Sequence, residues 1–167
     1  MIRGFRIEAL NAAHQRASFQ CGVEALDIYL RQHVTQDIKR RLSNCFVLSN
    51  DEGLIAGYYT FAAASIPLPE IGEKDKKRLP RYAALPTALI GRLAIDQNYQ
   101  GQRLGGALII DAALRASRAD PAIFALIVDA KDAKALAFYG HLGFQPFASK
   151  PTSLYLPLAT ALQAVLQ

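Results

Sequence analysis

The stretch "TALIGRLAID", residues 87–96, is apolar almost throughout, and a glycine-bearing turn carries it into "LGGALIIDAAL". A strand with no polar alternation needs cover on both faces, so it belongs in the centre of a sheet. The segment that follows places Leu104, Leu108, Ala112 and Leu114 along one side, which predicts an amphipathic helix over 104–117. A buried strand feeding directly into a helix confines the chain to α/β architectures. The junction itself holds Gly101, Gly105 and Gly106. Each glycine weakens an element by roughly 0.5–1 kcal/mol relative to alanine, so three together suggest a backbone that something approaches closely. The first amides of a helix lack internal partners and sit at the positive end of its dipole. With the glycines they form a natural cradle for a diphosphate.

The rest of the chain fits a mixed sheet. Phe5 and Ile7 alternate as a short first strand, and Val23, Leu26, Tyr29, Leu30, Val34 and Ile38 predict a helix over 23–40. "NCFVLSN" and "LIAGYYTFAAASI", joined by Asp51-Glu52-Gly53, read as a hairpin. Residues 67–86 carry five prolines and glycines and read as a loop with one helical turn. "AIFALIVDA" is a second buried strand, 132–140 a short helix, and "FQPFA" and "SLYLPL" two closing strands. With neither an internal repeat nor a linker, residues 1–167 read as one α/β domain, its sheet mixed but mostly antiparallel with helices on both faces.

Hydrophobic residues make up 51% of the sequence and charged residues 20%, an ordinary globular balance. No run approaches the roughly 18 apolar residues of a membrane span, and "MIRGFRIEAL" lacks the apolar core of a secretory signal. Cys21 and Cys45 show no metal-ligand spacing and read as small buried hydrophobes, so no metal is expected. These features predict a cytoplasmic protein. The net charge of +5 is clustered, in Lys39-Arg40-Arg41 and again around Lys76-Lys77-Arg78. Either cluster alone reads equally well as solvated surface, whereas the two together point to a polyanionic partner.

The glycine spacing is not the G-x-G-x-x-G of a dinucleotide fold, and no Gly-Lys-Ser/Thr marks a P-loop. Instead "QGQRLGG" resembles the coenzyme A loop of the GNAT N-acetyltransferase family, Gln/Arg-x-x-Gly-x-Gly/Ala. Gln100 takes the first place, Gly105 the closing glycine and Arg103 the earlier one, a departure from the family pattern. A second segment, "AKALAFYGHLGFQPF", resembles the family's A-x-x-F-Y-x-x-x-G-F through Ala135, Phe138, Tyr139, Gly143 and Phe144. Asp132 stands where the family often has asparagine. The N-terminal half is similar to the toxin subgroup of type II toxin–antitoxin modules, the TacT/AtaT type. Phe19, Cys21, Gly22, Leu26, Tyr29 and Leu30 match its F-x-C-G-x-x-x-L-x-x-Y-L, and "GYYT" and "GRLA" match two of its strands.

The resemblance implies a GNAT fold and acetyl-CoA as cofactor. It implies Tyr139 as the acid that protonates the departing sulfur, since a phenol with pKa about 10 keeps its proton at neutral pH. It implies coenzyme contacts from Leu93, Ala94 and Ile95, from Gln100, Gly101, Gln102, Arg103, Leu104, Gly105 and Gly106, and from Asp132 and Phe138. It further implies acetylation of the amino acid on aminoacyl-tRNA, gripped by Lys39, Arg40, Arg41, Lys76, Lys77 and Arg78, and a ribbon-helix-helix antitoxin as partner. Phe138 reads as core. Asp96, Asp129, His141 and Glu52 are candidate bases, each better read as structural. An α-amine of pKa about 7.7–8.0 needs little help. The stripe Leu26, Tyr29, Leu30 and Val34 reads as core, with a homodimer seam as the alternative. Acetylation of a protein N-terminus or an antibiotic, or acyl-CoA binding without catalysis, are the competing functions.

Overall fold

The computed structural model describes residues 2–166. Its strands are β1 (Phe5–Ala9), β2 (Asn44–Asn50), β3 (Ile55–Pro67), β4 (Ala84–Ile95), β5 (Ala125–Asp129), β6 (Gln145–Pro146) and β7 (Ser153–Pro157). Its helices are α1 (Glu24–Ile28), α2 (Val34–Lys39), α3 (Glu73–Lys76), α4 (Leu104–Arg118), α5 (Ala133–His141) and α6 (Leu158–Leu166). The strands form a seven-stranded sheet in the order β1-β2-β3-β4-β5-β7-β6. β4 pairs parallel with β5, Thr87 opposite Ala125, while β1–β2, β2–β3, β5–β7 and β6–β7 are antiparallel. This is the mixed α/β sheet expected. Among the described residues no helix is long and apolar enough to cross a membrane.

Two compact units divide the chain, Met1–Ala62 with Gly91–Ala112, and Ala63–Ile90 with Ala113–Gln167. The first is centred on Phe19, Leu30, Val34, Val47, Tyr58 and Ala94. Cys21 and Cys45 are both buried here, as small hydrophobes would be, and burial pushes the Cys45 thiol up to about 12. Of the stripe read as core or dimer seam, Tyr29, Leu30 and Val34 are core, no more than 5% exposed, and Leu26 is partly buried against them. The second unit gathers Ile66, Ile71, Leu85, Ala125, Ile127 and Tyr155.

Three expectations need correction. The helix over 23–40 is not uniform, because a π-helical turn, Tyr29–His33, separates α1 from α2. Leu26, Leu30, Val34 and Ile38 recur at strict four-residue steps, and each step overshoots an α-helical turn by about 40°. One wider turn takes up that drift and keeps the stripe on the core. The closing strands are also shorter than expected, β6 being two residues long. The chain ends instead in α6, where Leu158, Ala161, Leu162 and Val165 have helical spacing.

Candidate active site

β4 leads into the glycine junction, which is tied down by side chains rather than by ladder bonds. Asp96 is buried and its carboxylate accepts the amides of Asn98 at 2.9 Å and Gln20 at 3.0 Å. The amide of Gln97 donates to Gln20 O at 2.8 Å. Gln100 donates through Nε2 to Cys21 O at 2.9 Å and Ile95 O at 3.0 Å. Gln100 therefore holds the loop's shape with its side chain. Cys21 is placed in turn by its own amide, which donates to Asp27 at 2.8 Å.

Gly101 has φ +83°, and a Cβ there would meet nothing within 4 Å. Arg103 has φ +60°, a left-handed backbone that favours the glycine standing there in the family. Gln102 and Arg103 are exposed, Leu104 anchors α4 in the core, and Gly105 and Gly106 are partly buried in its first turn. A Cβ on Gly106 would likewise point into open space. The amides at the start of α4 precede its first intrahelical bond, from Ala107 to Arg103 O at 3.4 Å. An open, amide-rich, dipole-positive surface with an arginine at its edge fits a diphosphate.

Upstream on β4, Ala94 lies in the core, and Leu93 and Ile95 are partly buried. Asp96 N donates to Ala56 O at 2.8 Å, while Arg92 N turns to Thr60 Oγ1 at 3.0 Å.

In the second unit, Asp132 caps α5, accepting the amide of Ala135 at 2.8 Å. Its carboxylate is committed to the helix. Tyr139 is 7% exposed, and its ring meets Phe138 and Phe144 at centroid distances of 5.1 and 5.4 Å. Gly143, with φ +99°, ends the helix and sends Phe144 back so that its amide reaches Tyr139 O at 3.1 Å. This return explains the Tyr-x-x-x-Gly-Phe spacing. No described residue accepts the proton of the Tyr139 hydroxyl. Burial, reinforced by the nearby Asp129 carboxylate, pushes this phenol up to about 12. Phe138 is only partly buried, so it is not the core residue expected.

The sequence pattern of the acetyltransferase (GNAT) domain matches residues 41–146, which include both the loop and Tyr139. The chain belongs to the GNAT acetyltransferase family. Its curated relatives include the tRNA-acetylating toxin of Mycobacterium tuberculosis, 32% identical over 154 residues covering 91% of each chain. Solved structures similar to it include AtaT complexed with acetyl-methionyl-tRNAfMet. That likeness has a TM-score of 0.86 at 28% identity, over 98% of this chain and 99% of the other. A tyrosine-to-phenylalanine mutant of AtaT, bound to the C-terminus of the antitoxin AtaR and acetyl-CoA, matches with a TM-score of 0.82 at 28% identity. It spans 98% of this chain and 99% of that one.

This acetyltransferase offers no obvious general base. Asp96 is consumed by two amides, Asp129 accepts from Ser153 Oγ at 2.5 Å, and Glu52 and His141 are exposed. A Ser-His-Glu cluster was not foreseen from the sequence: His14 Nε2 lies 2.8 Å from Glu8 Oε1 and 3.1 Å from Ser49 Oγ. His14 Nδ1 accepts the amide of Asn11 at 2.9 Å, so Nε2 carries the ring proton of the neutral imidazole. It cannot also deprotonate Ser49, which is fully buried. The cluster is a structural tie between β1 and β2.

Of the basic residues, Lys39, Arg40 and Arg41 are exposed at the end of α2. Lys77 and Arg78 are exposed just after α3, and Lys76 pairs with Glu73 at 3.2 Å. Tyr155 secures α3: its hydroxyl accepts the amide of Gly72 and donates to Asp75, both at 2.9 Å.

Proposed function

We propose that this acetyltransferase is a toxin that acetylates the α-amino group of the amino acid carried by aminoacyl-tRNA. Such a modification blocks translation and places the enzyme's action in the cytoplasm. A ribbon-helix-helix antitoxin neutralises it. The observation that carries this reading is the near full-length likeness in sequence to a tRNA-acetylating toxin and in fold to AtaT complexed with acetyl-methionyl-tRNAfMet.

When bound, acetyl-CoA supplies an acetyl group activated as a thioester. The amides of Gly101 to Gly106, with the Arg103 guanidinium, would hold its diphosphate. Leu93, Ala94 and Ile95 orient the pantetheine arm through backbone groups. Tyr139 would hold a proton at Oη available to the thiolate sulfur that the thioester releases. Its pKa of about 12 keeps that proton in place across the physiological range. The attacking α-amine, with pKa about 7.7–8.0, is already partly neutral, so catalysis rests on alignment rather than on a base. Lys39, Arg40 and Arg41, and Lys76, Lys77 and Arg78, grip the phosphates of the tRNA.

Incubating the protein with acetyl-CoA and charged tRNA, then analysing the released amino acids by mass spectrometry, tests this reading. N-acetylated amino acids are the expected product. Unmodified tRNA alongside acetylation of a peptide N-terminus or an antibiotic amine would replace this substrate with another amine.

A further inference from the structure

Two arginines of the first unit, Arg16 beside the α1–α2 segment and Arg31 within its π-helical turn, have their guanidinium groups hydrogen-bonded. Arg16 donates to Thr35 Oγ1 at 2.8 Å, and Arg31 donates to Phe19 O at 2.9 Å. Arg92 is different. Its guanidinium carbon lies 3.5 Å above the centroid of the Tyr29 ring. Yet among the described residues its guanidinium has no carboxylate within 4.0 Å and no hydrogen-bond acceptor.

The ring beneath it and the backbone that carries it are both held. Tyr29, which opens the π-helical turn, is itself held by its hydroxyl, which donates to Asp37 at 2.7 Å. On the backbone side, Arg92 N donates to Thr60 Oγ1 at 3.0 Å. The preceding residue is Gly91, where a Cβ would stand 3.2 Å from that same hydroxyl oxygen. Stacking on an aromatic ring engages the face of a guanidinium and leaves its planar fork of N–H donors unused. Arg92 is partly buried, and no nitrogen of its guanidinium is a buried unpartnered atom, so its donors remain open to a ligand. A stacked cation whose donor fork meets no protein acceptor suits an anionic oxygen.

We propose that Arg92 is a substrate-positioning residue that takes a phosphodiester oxygen near the 3′ end of aminoacyl-tRNA. The inference rests on the tRNA reading above. Arg92 immediately precedes Leu93, the first residue of the segment assigned to the pantetheine arm. The amino acid of such a substrate is esterified, so its acceptor end offers phosphodiesters but no carboxylate. The coenzyme's diphosphate is accounted for by the glycine junction at α4.

The test compares two substrates, an aminoacylated RNA minihelix and an aminoacyl-adenosine that lacks any phosphate. Arg92→Gln should raise KM for the minihelix roughly 10- to 100-fold, as expected for losing hydrogen bonds to a charged group. Turnover at saturation, activity on aminoacyl-adenosine and calorimetric affinity for acetyl-CoA should hold. Arg92→Lys, which keeps the charge without the fork, should fall between the two and guards against a folding defect in the glutamine variant. The salt dependence of minihelix binding should weaken by about 0.7 in log–log slope. Equal losses on both substrates, a loss of acetyl-CoA affinity, or no loss at all would overturn the proposal while leaving the tRNA reading intact. A wild-type protein that acetylates neither substrate would refute that reading, and this proposal with it.

Discussion

The side-chain amide of Gln100 donates to the backbone carbonyl of Cys21 at 2.9 Å, across 79 residues of chain. Two sequence motifs, the Phe19-x-Cys21-Gly22 segment and the loop before α4, are therefore halves of one structure. Gln20 completes the join, its carbonyl and amide both bonded to the Asp96–Gln97 corner.

Gln100→Ala removes two side-chain hydrogen bonds, each worth about 1 kcal/mol. The fold should survive, but the loop amides lose their fixed aim. Acetyl-CoA affinity measured by calorimetry is expected to drop about tenfold, with a smaller change in the urea midpoint. Unchanged affinity would show that the loop holds its shape without this tie.

Arg103 occupies a left-handed backbone conformation that costs a non-glycine residue roughly 1–2 kcal/mol. Arg103→Gly should relieve most of it, offset by the larger chain entropy of unfolded glycine. A stability gain of about 0.5–1 kcal/mol is expected, together with several-fold weaker acetyl-CoA binding as the guanidinium is lost. A variant that gains stability and binds equally well would make Arg103 a strained bystander.

Tyr139→Phe keeps the ring packed against Phe138 and Phe144 and removes only the unpartnered hydroxyl. Turnover should fall by about 10²–10⁴, the range for a positioned acid, with acetyl-CoA affinity retained. The pH profile follows from the same group. Rate should rise with pH as the α-amine loses its proton at about 7.7–8.0. It should not decline near pH 10, where an exposed phenol ionises, because Tyr139 keeps its proton until about 12. A descending limb centred near 10 in single-turnover rates would assign the acid elsewhere.

Thr87 is buried in β4, and among the described residues its Oγ1 has no hydrogen-bond partner. Thr87→Val replaces that hydroxyl with a methyl group of similar shape. Relief of an unsatisfied buried group should stabilise the protein by about 1 kcal/mol, read as a higher melting temperature. Destabilisation would reveal a partner for the hydroxyl.

Replacing Lys39, Arg40 and Arg41 with alanine, or Lys76, Lys77 and Arg78, should raise KM for aminoacyl-tRNA while acetyl-CoA binding barely moves. The log–log salt slope should fall by about 0.7–0.9 for every phosphate left without its cation. The second set should have the smaller effect, since Lys76 already pairs with Glu73. Salt-independent turnover of the unaltered enzyme would remove tRNA phosphates from its recognition.

The features legible in the residues alone were local. Hydrophobic periodicity placed β2, β3, β4, β5, α4 and α5, and short-range motifs marked the glycine junction and Tyr139, because such patterns repeat within one or two turns of chain. The missed α6 was equally local, its spacing legible in Leu158, Ala161, Leu162 and Val165. Tertiary structure decided what those residues touch. It showed that Asp96 and Gln100 shape the loop, that His14 ties β1 to β2, and that the Arg92 guanidinium stacks on Tyr29. Each of these relationships joins groups that meet only when the sheet forms or a helix packs. A polar side chain's partner is set by that meeting, and no periodicity along the chain encodes it.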